Sequence, residues 1–94
     1  MPTVNGVQLR IQKIEGFRVC FRDRRSGRNL PDHMRNVPHY PYERMAKNSW
    51  TVEGWKRLRF NKAYPGFNID VLDKDGSTCN GHAKLATVRD TYLD

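Results

Sequence analysis

Val7-Gln8-Leu9-Arg10-Ile11-Gln12, and then Phe17-Arg18-Val19-Cys20-Phe21-Arg22 after Gly16, is the stretch on which a reading of this chain turns. In both segments apolar and polar side chains alternate, which is the period of a strand with one buried face. With Gly16 interrupting between them, the two segments predict an antiparallel hairpin closed through residues 13–16. Such a hairpin puts Val7, Leu9, Ile11, Phe17, Val19 and Phe21 into a core. Its pleat then sends Gln8, Arg10, Gln12, Arg18 and Arg22 to the opposite, solvated face.

Working outward, Asp23-Arg24-Arg25-Ser26-Gly27 reads as a turn with Gly27 at positive φ, after which Arg28-Asn29-Leu30 opens a short third strand limited by Pro31. Pro31, Pro38 and Pro41 exclude a regular helix over residues 31–48, which predicts a long connection carrying His39, Tyr40 and Tyr42. A helix is expected from Thr51 to about Lys62. Thr51 is placed to cap it, Glu53 favours the positive end of its dipole, and Trp50 and Trp55 sit at staple spacing. Gly54 weakens that reading, and residues 55–60 also alternate as a strand would.

Tyr64-Pro65-Gly66-Phe67 has the Pro-Gly centre of a type II turn. Beyond it Phe67, Ile69 and Val71 mark another strand, closed by Asp73-Lys74-Asp75-Gly76 and paired with residues around Thr78 to Lys84. Thr87-Val88-Arg89-Asp90 matches a capping box, which predicts a short C-terminal helix turning Val88, Tyr92 and Leu93 inward. The expected fold is therefore α+β over residues 1–94, read as one small basic domain. It has a small antiparallel sheet, built from an N-terminal and a C-terminal hairpin, with one or two helices packed on one face.

Ninety-four residues suffice for one core and not for two. With 37% hydrophobic residues, the two Trp, four Tyr and four Phe must supply much of the buried area. A core this small is compatible with a homodimer that enlarges it. No apolar run of about 18 residues is present to span a bilayer, and the first residues lack a secretory pattern, so a soluble, cytoplasmic protein is expected. Cys20 and Cys79 make no dense framework, in keeping with a reducing compartment, although pairing between them stays open.

Seventeen Lys and Arg stand against ten Asp and Glu, for a formal charge of +7. Residues 1–30 carry +5, residues 49–66 carry +3 and residues 67–94 carry −2. Eleven of the seventeen cations are arginine, whose planar fork suits phosphate and guanine edges. The foremost candidate site is accordingly the solvated face of the first hairpin: Gln8, Arg10, Gln12, Arg18 and Arg22, with Arg24, Arg25 and Arg28 at its turn. A two-stranded ribbon of guanidiniums and carboxamides fits a nucleic-acid groove, while the same residues on an ordinary edge would only discourage aggregation.

Secondary contacts are offered by Tyr40, Tyr42 and Arg44 on the Pro-rich loop, where the tyrosines either stack on bases or pin the loop to the core. Lys56, Arg57 and Arg59 form a further basic set, spread around a helix rather than along one stripe. The chain is read as a non-enzymatic binding module for DNA or RNA. The alternative partner is an acidic protein, met by the cationic surface and an apolar patch of Trp50, Trp55, Tyr40 and Tyr42. Asp32-His33 and His39 with Glu43 hold the residue types of a metal-independent ribonuclease but define no site. Cys79-x-x-His82 is half a zinc spacing, and Asp73-Lys74-Asp75-Gly76 lacks the calcium-loop pattern. Neither cofactor nor metal is expected.

Overall fold

The computed structural model describes residues 3–31, 33–35 and 37–93. Its opening element is a helix, α1 (Val4–Glu15), and not a strand. Thr3 caps it by accepting from the Gly6 amide at 3.1 Å. At the other end Gly16 takes φ 83°, and its N–H returns to the Gln12 carbonyl. A hydroxyl cap and a left-handed glycine bracket twelve residues, and that pair of signals outweighs the period-two pattern between them. Val4, Val7 and Ile11 are buried at spacings of three and four, while Leu9, expected in the core, is 56% exposed.

The predicted N-terminal hairpin is therefore replaced. Strand β1 (Arg18–Asp23) pairs antiparallel with β2 (Phe67–Leu72), Arg18 standing opposite Leu72 and Asp23 opposite Phe67. The α+β class and the small antiparallel sheet agree with the expectation, but the ladder joins distant segments. Each strand also makes a short return. Arg22 bridges to Asn29 beyond the Arg24–Gly27 turn, and Leu72 bridges to Thr78 beyond the Asp73–Gly76 turn. Gly27 and Gly76 have φ of 71° and 83°, the conformations those turns require. The third strand at residues 28–30 thus shrinks to one bridge.

Thr51 caps the second helical segment as expected, accepting from the Gly54 amide at 3.0 Å. That segment runs through α2 (Val52–Trp55), a π-helical turn Lys56–Phe60 and α3 (Asn61–Ala63), so residues 55–60 are helical and not a strand. In the π turn the Asn61 N–H reaches back five residues to the Lys56 carbonyl. The turn at Pro65-Gly66 closes through Phe67 N–H to the Tyr64 carbonyl. Gly66 has no positive φ, so the turn is not type II. The last helix, α4 (Leu85–Asp90), begins two residues before Thr87. Its first amides are taken up by the chain ahead of α2, Leu85 N–H bonding the Trp50 carbonyl and Ala86 N–H that of Asn48. The Thr87 capping box does not form, and Leu93 is exposed rather than inward.

One face of the ladder, Val19 and Phe21 with Ile69 and Val71, is buried beneath the helices. Phe21 sits edge-on to Phe60 and Tyr64 at 5.3 and 5.1 Å, and Phe17 edge-on to Trp55 at 5.2 Å. Aromatic pairs in this geometry contribute about 0.5–1.5 kcal/mol beyond their burial, and they hold the π-containing helix against β1. The other face carries Arg18, Cys20 and Arg22 beside Asn68, Asp70 and Leu72, all exposed or half-buried.

Candidate functional site

Pleat geometry does place Arg18 and Arg22 on the solvated face of β1, but Gln8, Arg10 and Gln12 leave that face because they belong to α1. Gln8 turns inward enough for its Oε1 to accept the Phe21 amide at 2.9 Å, so it closes part of the open edge of β1. Arg10 donates through Nε to the Tyr40 carbonyl at 3.2 Å. Gln12 is exposed. Arg22 is ion-paired with Asp70 and also donates to the Gly27 carbonyl at 3.0 Å. The single guanidinium row expected from a hairpin does not exist.

What remains together is the turn after β1. Asp23 Oδ1 accepts the Arg25 amide at 2.8 Å, and the Ser26 hydroxyl accepts the Arg28 amide at 3.2 Å. These bonds fix a tight loop whose residues Arg24, Arg25 and Arg28 are all exposed. Arg24 Nη1 then reaches the Pro65 carbonyl at 2.7 Å. That bond ties this turn to the one following α3, three residues after exposed Lys62. The two most cationic stretches of the sequence therefore meet at one end of the ladder. At the other end stand the Asp73–Gly76 turn and the C-terminus of α4, joined by Lys74 N–H to Thr91 Oγ1 at 3.1 Å, with Asp73, Asp75 and Asp90. Arg18, Lys74 and Arg89 stand among them, so that end is of mixed charge.

A second cluster lies inside. Glu15, at the end of α1, is fully buried and is the one buried charged side chain among the described residues. Its carboxylate accepts from the Tyr40 hydroxyl at 2.5 Å, the Ala46 amide at 2.8 Å, Arg59 Nη1 at 2.6 Å and Arg89 Nη2 at 3.3 Å. Arg89 also donates to the Glu15 and Ala46 carbonyls and to Asn48 Oδ1, and Trp55 Nε1 donates to the Tyr40 hydroxyl. Burial, then the Glu15 hydrogen bond and its charge, push the Tyr40 hydroxyl well above the ordinary tyrosine range. Burial works against the charge of Arg59, but Tyr40 and Glu15 outweigh it and raise its pKa. At Arg89 burial prevails and lowers it. Tyr40 is thus a buried partner of Glu15 and offers no ring to a ligand, which settles its role as pinning the loop.

Arg59 carries the cluster to the surface. Its guanidinium lies over the Tyr42 ring at 4.5 Å and the Trp50 ring at 5.6 Å, and it donates to the Arg44 carbonyl at 2.6 Å. Tyr42 and Trp50 are half-buried, while Arg44, Lys47 and Arg57 are exposed and Lys56 is half-buried. Composition gave no signal for this assembly. Glu15 finds Tyr40, Arg59 and Arg89 across 25, 44 and 74 residues, separations beyond any local spacing rule.

His33, His39 and Glu43 are exposed, and Asp32 lies outside the described residues. Cys20 and Cys79 are not joined in a disulfide, and among the described residues no group of His, Cys, Asp and Glu is arranged to hold a metal ion. No helix is long and apolar enough to cross a membrane among the described residues. Comparison with protein-family models, with curated proteins and with solved structures gives no match to this chain.

Proposed function

We propose that this chain is a binding module that contacts nucleic acid through the cationic end of its sheet, formed by Arg24, Arg25 and Arg28 with Lys62. The observation that carries the reading is the Arg24 to Pro65 bond, which brings the turn after β1 against the turn after α3. A cluster of exposed guanidiniums on a braced loop suits phosphate oxygens, because the fork donates in pairs and the loop holds it in place.

Local chemistry favours nucleic acid over an acidic protein. Stable protein interfaces have an apolar centre. Among the described residues the large exposed hydrophobes are Leu9, Met45, Leu58 and Leu93, none of them in either turn. A polar, arginine-rich surface without such a centre has the composition of a phosphate-contacting one.

The test is a titration of single- and double-stranded oligonucleotides at two salt concentrations, comparing the natural chain with an Arg24→Ala/Arg25→Ala/Arg28→Ala variant. Affinity for duplex should fall steeply with salt, and the variant should lower the log-log salt slope by about 2–3, near one per phosphate contact removed. An unchanged slope and affinity would remove the site assignment. Binding of polyglutamate in place of either oligonucleotide would transfer the surface to an acidic protein partner.

A further inference from the structure

The Tyr42–Arg59–Trp50 cluster shares no residue with the cationic turns. Glu15, to which Arg59 is bonded, immediately precedes the Gly16-Phe17 link into β1, at the opposite end of that strand from the Asp23 turn. Resting on the nucleic-acid reading, we propose that Trp50 and Tyr42, with the Arg59 guanidinium shared between them, form a stacking platform for unpaired bases. The substrate class of the module is then single-stranded nucleic acid.

Three features of the cluster carry this. The rings of Tyr42 and Trp50 are half-buried, so each is held by the core and still presents part of its surface. Arg59 is fixed by a fully buried carboxylate at 2.6 Å and by the Arg44 carbonyl at 2.6 Å. Its planar group is therefore set beside the rings before any ligand arrives, which limits the ordering cost of binding. Exposed Arg44 and Lys47 flank the rings, Lys47 adjoining Trp50 through the Trp50 N–H to Lys47 carbonyl bond at 3.1 Å. Aromatic surface interleaved with backbone-neutralising cations is the arrangement that binds single strands.

Other occupants fit less well. A quaternary ammonium would bring a further positive charge beside the Arg59 guanidinium and the flanking Arg44 and Lys47. A duplex hides its base faces within the stack, and these rings sit on an irregular loop and a helix start rather than on an element shaped for a groove. A splayed base is the ligand whose flat face matches both a ring and a guanidinium plane.

The experiment uses a twelve-nucleotide oligothymidylate and its duplex with oligoadenylate, read by tryptophan fluorescence and by anisotropy of labelled strand. Oligothymidylate should quench the half-buried Trp50, and Trp50→Ala should weaken its binding about tenfold, the loss expected for one stacked base, with duplex affinity within twofold of the natural chain. Trp50→Phe serves if the alanine variant fails to fold: buried Trp55 is then the remaining indole, and the quenching should vanish. Quenching that persists in Trp50→Phe, or single-strand affinity unchanged in Trp50→Ala while duplex binding stands, overturns the platform and leaves the cationic turns as the binding surface. Failure of the natural chain to bind either probe overturns both readings.

Discussion

Arg59 Nη1 stands 2.6 Å from Glu15 Oε2, an ion pair in which the carboxylate is fully buried and the arginine side chain keeps 14% of its exposure. With Arg89 on the other oxygen, one carboxylate faces two guanidiniums. Taking these groups out of water is expensive, and the geometry offsets it by filling the carboxylate with four donors. The same contacts fasten the end of α1 to the π turn, to α4 and to the 40–48 loop. The cluster is thus where the sequence-distant parts of this small fold are joined.

Replacing Glu15 by Gln keeps the shape and removes the charge, so Arg59 and Arg89 are left half-desolvated without a counter-ion. Breaking such an arrangement costs about 3–5 kcal/mol. Urea unfolding of Glu15→Gln should show a midpoint shift of that size at an unchanged slope. A loss under about 1 kcal/mol would mean that water already serves the guanidiniums.

Two buried tyrosines should respond oppositely to loss of the hydroxyl. The Tyr40 oxygen donates to Glu15 and accepts from Trp55, whereas the Tyr64 hydroxyl is buried without a partner among the described residues. Tyr40→Phe removes a charge-assisted hydrogen bond and leaves the Trp55 N–H unmatched, for a loss of about 2–3 kcal/mol. Tyr64→Phe removes a polar atom whose burial is uncompensated, and stability should stay level or rise by up to about 1 kcal/mol. Thermal melts of the two variants compared with the natural chain decide this, and equal losses would refute the contrast.

Stability should fall in alkali once pH passes the ordinary tyrosine value. Burial raises the Tyr64 pKa, opposed by Arg10, and burial with Glu15 raises that of Tyr40, both from an ordinary value of 10.0. For a raised folded-state pKa the folded chain holds protons that the unfolded chain releases, so stability is complete below the ordinary value and lost as pH climbs above it. Each of the two residues steepens the decline by about 1.4 kcal/mol per pH unit in that window. Urea midpoints measured from pH 8 to 12 should be flat and then drop above about pH 10. Tyrosinate absorbance should appear with unfolding and not ahead of it, and free titration of Tyr40 in the folded chain would contradict the geometry.

Two glycine turns and the Thr51 cap were legible in the sequence because their chemistry is local, while the Pro65-Gly66 turn type and the Thr87 cap were misread. Gly27 and Gly76 take the positive φ their loops need, Thr51 caps where a hydroxyl precedes the helix, and the alternation of Phe67, Ile69 and Val71 is that of a strand with one face buried. The first element was misread for an equally physical reason. Val4, Val7, Ile11 and Ile14 follow helical spacing, but Leu9 fills the gap and turns the same residues into an alternating pattern. Thr3 and Gly16, the residues that flank the helix, held the decisive information. The candidate cationic end was half visible, since charge blocks in the sequence named Arg24, Arg25 and Arg28, yet their meeting with the Lys62 segment depends on a tertiary bond. The Glu15 network was invisible, because no local spacing rule links groups that far apart.

The helix over residues 4–15 makes a prediction that a strand cannot share. A strand puts Val7, Leu9 and Ile11 on one face, so truncating Val7 and Leu9 would cost alike. In α1 they diverge by two residues, about 200° around the axis, and Val7 is 1% exposed against 56% for Leu9. Val7→Ala should therefore lose about 2 kcal/mol, from the apolar atoms withdrawn and the space left under β1. Leu9→Ala should stay within about 0.5 kcal/mol, the range of surface substitutions, with a small gain from helix propensity working against any lost contact. Urea denaturation of the two single variants separates the cases, and equal, large losses at both positions would restore the hairpin and remove α1.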